Sequence, residues 1–87
     1  MKQKLQNEMK ELIQLTDDIL NNMHGIEDEK KVRKNVLKIQ KANNAFLSTL
    51  EKNISQDELY RIDIYCNEQG AKMTQLLAAI QREKDAN

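Results

Sequence analysis

Eighty-seven residues, with 14 Lys+Arg against 14 Asp+Glu, one His, one Cys, two Gly and no Pro, suit one small domain covering residues 1–87. A single Cys excludes an internal disulfide framework and a Cys-based zinc site, and it fits a reducing, cytoplasmic setting. The opening Met1-Lys2-Gln3-Lys4 lacks a signal-peptide core, no apolar run approaches the ~20 residues of a membrane span, and a mean hydropathy of -0.79 describes a wet surface around a modest core.

The apolar residues fall into three heptad stripes with steps of three and four. The first is Leu5, Met9, Leu12, Thr16, Ile19 and Met23, which predicts a helix over residues 2–24. His24-Gly25 should end it, because Gly accepts the left-handed conformation and Ile26 supplies the apolar contact that follows such an end. The second stripe is Val32, Val36, Ile39, Asn43, Phe46 and Leu50, for a helix over 28–53 with Asp28 as its cap. The third is Leu59, Ile62, Cys66, Gln69, Met73, Leu76 and Ile80, for a helix over 56–84. Its start is the sharpest local signal: Ser55-Gln56-Asp57-Glu58 reads as a capping box, and Ile54 and Leu59 as the hydrophobic staple around it. Gly70 is the weak point of that helix, at roughly 1 kcal/mol relative to Ala. The short alternation Ile62-Asp63-Ile64-Tyr65-Cys66 sits inside the longer helical pattern, so no strand is expected.

Connections of about four residues make sequential helices antiparallel. The predicted architecture is all-α: an up-down-up three-helix bundle with coiled-coil-like packing, its core widened by Ile13, Leu20, Leu47 and Leu77, with completion by dimerisation as the alternative to a closed monomer. Each stripe carries one polar residue, Thr16, Asn43 and Gln69. The helical rise puts the three within about one turn, ~5 Å, of one height. A polar core layer joined by hydrogen bonds is therefore expected, the alternative being three separately tolerated polar residues.

Groups for chemistry are few. His24, the one histidine, stands in the last turn of its helix, which favours capping over phosphotransfer, and there is no second histidine for a nucleophile-base pair. Cys66 at a stripe position reads as a small buried hydrophobe, and Met9, Met23 and Met73 as core filler. Asp17-Asp18 and Glu27-Asp28-Glu29 lack calcium-loop spacing, and there is no Gly-rich phosphate loop. No catalytic, metal or cofactor site is expected, and the chain does not read as an enzyme.

Charge and surface patterning are more informative. Three basic residues face four acidic ones in 1–25, seven face four in 26–54, and four face six in 55–87. The excess positive charge is in the uninterrupted set Lys30, Lys31, Arg33, Lys34, Lys38 and Lys41. Lys30, Lys34, Lys38 and Lys41 share one helical face, suited to an acidic protein surface or nucleic acid, while Glu27 and Glu29 are spaced to pair with Lys31 and Arg33. On the third helix Tyr60, Ile64, Ala71 and Ala78 form a second apolar line away from the core stripe. That line is the expected interface with another protein or a second copy.

Residues 55–83 also hold a capped helix start at Ser55-Gln56-Asp57-Glu58-Leu59, then Asn67-Glu68-Gln69-Gly70 and the Thr-bearing stretch Ala71-Lys72-Met73-Thr74-Gln75-Leu76-Leu77. This third of the chain resembles the two helices of a ribbon-helix-helix repressor. The resemblance implies a dimeric DNA-binding regulator whose base-reading strand would be Thr49-Leu50-Glu51-Lys52-Asn53. That strand departs from the pattern, with Glu51 set toward phosphates and Lys52 inward, and heptad continuity through Gly70 favours one long helix. The reading that follows from the residues is a helical protein-protein interaction module with no membrane association, the DNA-binding regulator being its alternative.

Overall fold

The computed structural model describes residues 1–86. It is an all-α three-helix bundle: α1 spans Lys2–Asn22, α2 Glu29–Leu50 and α3 Gln56–Asp85. The molecule is a rod of 48 × 18 × 16 Å. Among the described residues there is no strand, and no helix is long and apolar enough to cross a membrane.

Long-range hydrogen bonds fix the up-down-up order. Lys2 Nζ donates to the Lys52 carbonyl at 2.8 Å and Gln6 Nε2 to the Leu50 carbonyl at 3.3 Å, so the start of α1 meets the end of α2. At the other end the Glu27 N–H donates to Glu83 Oε2 at 2.9 Å, placing the start of α2 beside the end of α3.

The helix ends refine the sequence expectations. Ser55 caps α3, its Oγ accepting from the Glu58 N–H at 3.2 Å, with Leu59 buried and Ile54 half-buried beside it. Gly25 is left-handed at φ +86°, and the buried Ile26 follows it. The helix itself ends earlier than 24, at Asn22, and α2 ends at Leu50 and not at 53. The connections are accordingly 23–28 and 51–55. Asp28 stands at the head of α2 but is left-handed at φ 57° and makes no side-chain cap bond. Glu29 acts there instead, its Oε1 accepting from the Gly25 N–H at 2.6 Å. A carboxylate in the first helical turn also meets the positive end of the helix dipole.

Gly70 lies inside a continuous α3, and residues 49–53 hold the last turn of α2 and the turn after it. The ribbon-helix-helix arrangement therefore does not form. Length explains the outcome: one 30-residue helix spans ~45 Å, which matches the full length of the rod and lets a single stripe run along α1 throughout.

Packing around α1 is unequal. α1 is in close register with both α2 and α3, whereas α2 and α3 meet each other only sparsely. The whole first stripe is buried, from Leu5 to Met23. The second stripe divides at period seven: Val36, Asn43 and Leu50 are buried, while Val32, Ile39 and Phe46 are half-buried. On α3, Leu59, Ile62, Cys66, Met73 and Ile80 are buried, while Gln69 and Leu76 are half-buried. A heptad has two lines of core positions, and in α2 one line faces α1 while the other faces the loosely closed seam toward α3.

Candidate interaction surfaces

The α2 basic face is built as its spacing requires. Lys30, Lys34, Lys38 and Lys41 are all exposed and none makes a salt bridge among the described residues. Arg33 pairs with Glu29 at 3.7 Å, but the expected Glu27–Lys31 pair does not form, since Glu27 lies before the helix, in the turn, where its N–H is tied to Glu83. Leu37 was outside every stripe, yet it is 47% exposed, and seven residues from Lys30 it falls on the lysine face. The basic face thus has an apolar residue in its middle. A search for exposed apolar residues between lysines at i±3 and i±4 would have found it.

On α3 the outer line is open where it matters most: Tyr60 is 53% and Ile64 58% exposed, one turn apart. Ala71 is exposed as well, while Ala78 is half-buried. The line is therefore concentrated in the first half of α3.

The loosely closed seam forms a groove of about 360 Å³ between the first half of α2 and the second half of α3. Val36 and Met73 lie deep in it, Val32, Ile39 and Leu76 form its walls, and Lys38 and Lys72 are its charged residues. Toward the 51–55 turn the seam is closed by Phe46 against Tyr65, with ring centroids 4.6 Å apart at 50°. Such tilted aromatic pairs contribute roughly 0.5–1.5 kcal/mol beyond area burial. Burial there pushes the Tyr65 phenol above its usual range.

The polar layer takes a different form from the one expected. Thr16 and Asn43 are fully buried and Gln69 is half-buried on the seam, and no hydrogen bond joins the three. Thr16 Oγ1 donates to the Ile13 carbonyl at 2.6 Å and accepts from Gln40 Nε2 at 3.0 Å. Gln40 Nε2 also reaches Asp17 Oδ1 at 2.5 Å. The partner of Thr16 is thus Gln40, beside the stripe, whose role no periodicity signals. Neither amide atom of Asn43 has a hydrogen-bond partner among the described residues.

Cys66 is buried, and burial pushes its thiol up, with Glu8, Asp63 and Glu11 acting in the same direction. A thiol held protonated is a poor nucleophile and a poor metal ligand. His24 is exposed within the α1–α2 turn and not in the last turn of α1. No group of three or more His, Cys, Asp or Glu among the described residues could hold a metal ion. Comparison with protein-family models, curated proteins and solved structures finds no match to this chain.

Proposed function

We propose that the chain is a non-enzymatic helical protein-protein interaction module: an adaptor, small chaperone, inhibitor or assembly subunit. It acts through the outer surface of α3 and the basic face of α2 toward another protein or a second copy of itself. The observation that carries this reading is the set of large apolar side chains left in water on an otherwise polar rod. Leu37, Tyr60 and Ile64 are each about half exposed or more, and Leu37 stands among lysines that make no salt bridge among the described residues. Apolar groups in a polar surround are what protein interfaces use, and lysines around them add orientation and association rate. The lone buried thiol goes with a cytoplasmic setting.

The test is a photo-crosslinking residue placed at Leu37 or Tyr60 in the native host, with Asn21 as an exposed control. Discrete adducts with another chain from Leu37 or Tyr60, and none from Asn21, are the expected result. Absence of adducts at both sites would overturn the reading. The unpaired lysines favour one second reading, a dimeric DNA-binding regulator that uses the same α2 face. A zero formal net charge leaves it without the strong general attraction to phosphates. Salt-dependent binding to duplex DNA, lost in Lys34→Glu/Lys38→Glu, would establish that reading instead.

A further inference from the structure

We infer that the groove between α2 and α3 is the seat of an amphipathic helix with acidic flanks, supplied by a partner protein, which closes the bundle as a fourth helix. This rests on the reading of the chain as an interaction module and names the chemistry of what it binds.

The groove is the place where the heptad pattern is left incomplete. Val32, Ile39 and Leu76 occupy stripe positions, yet they stay half-buried because α1 covers only the neighbouring line. Side chains at such positions are normally covered by a facing helix. The groove runs from Val32 to Ile39 on α2 and from Gln69 to Leu76 on α3. Seven steps along a helix cover about 11 Å, two turns. A docked helix therefore presents apolar residues at i, i+3 or i+4, and i+7. Packing between two helices that meet each other only sparsely gives the geometry of a four-helix bundle, whose cores are built this way.

Charge selects among such helices. Lys38 stands on the α2 side and Lys72 on the α3 side, both exposed, and among the described residues no acidic one lines the groove. Neither lysine makes a salt bridge among the described residues. A helix lying between them meets positive charge on both flanks, so acids beside its apolar stripe are attracted and lysines repelled. The groove on the other side of α3 has the opposite sign. It is lined by Glu8 and Glu11 with no basic residue, so the same helix is disfavoured there.

The experiment uses the full chain and two synthetic 18-residue helical peptides with leucines at heptad positions. Glutamates flank the leucines in one peptide and lysines in the other. The expected result is at least tenfold tighter binding of the glutamate peptide, with NMR shifts at Val32, Ile39 and Leu76. The double variant Lys38→Glu/Lys72→Glu, both positions exposed, should reverse the preference without altering the helical circular dichroism. Equal affinity for the two peptides, no binding of either, or shifts confined to Glu8, Glu11 and Ala71 would overturn the inference. So would a micromolar self-dimer that the double variant dissociates, because a second copy would then occupy the groove. Failure of the peptides while Leu37 or Tyr60 still crosslinks to a partner overturns this inference alone. Failure of both overturns the interaction reading itself.

Discussion

The Asn43 amide is fully buried and neither its Nδ2 nor its Oδ1 has a partner among the described residues. Leaving such groups unsatisfied costs about 1–3 kcal/mol. Asn43→Leu keeps the branching of the side chain at Cγ and removes both orphan atoms, and the relieved desolvation outweighs the cost of its larger volume, so it should stabilise the fold by ~1 kcal/mol. Thermal unfolding would register this as a rise in Tm of roughly 4–8 °C per kcal/mol for a chain of this size. An unchanged or lower Tm would show that Asn43 is satisfied in solution. Glu29 gives a pH dependence. Its carboxyl is held below the usual 4.5, chiefly by the Gly25 N–H, with Arg33 and His24 adding to the effect. A depressed carboxylate contributes stability that is present above its ordinary value and lost as pH falls through the folded one. Because Glu29 is open to solvent the effect is small, but Glu29→Gln should flatten the acid limb of Tm against pH. An identical acid limb in the variant would contradict it. Neither residue's situation is readable from the sequence. The stripe marks Asn43 as inward without giving its partners, and reading Asp28 as the cap of α2 misses that Glu29 reaches back over the turn.

At the scale of the helices, the two glycines separate backbone conformation from packing. A Cβ added at either would meet nothing within 4 Å, so only the backbone decides. Gly25 is left-handed at φ +86°, and Gly25→Ala should destabilise by about 1 kcal/mol. Gly70 is inside α3, and Gly70→Ala should stabilise by about 0.5–1 kcal/mol. Chemical denaturation of the two variants measures the difference directly, and equal effects would contradict the assigned conformations. The elements themselves were legible. Period 3.5 named three helices, the Ser55 box placed the start of α3 and Gly25 placed the first turn, because each rests on local chemistry. The ends of α1 and α2 were not, since no local signal marks where Asn22 and Leu50 stop the helix.

On the scale of the whole molecule, the stripes gave the core but not its asymmetry. Val32 and Val36 carry the same residue type at two stripe positions, and only which heptad line of α2 faces α1 makes one half-buried and the other buried. The sparse meeting of α2 and α3 leaves the groove open, with its lysines in no salt bridge among the described residues, so the candidate site was legible as residues and not as a place. Among the outer positions, Tyr60 and Ile64 were readable from spacing, whereas Leu37 was hidden by its charged neighbours. The central claim is that α1 is the shared spine and that the α2–α3 seam is unfinished. Native-state hydrogen exchange tests it most directly, since elements with fewer packed neighbours open at lower free energy. The α1 amides around Leu12 and Ile19 should exchange only through global unfolding, with those of α2 around Ile39 and α3 around Leu76 exchanging faster. Exchange of the α1 amides as fast as or faster than those beside the groove would contradict the account.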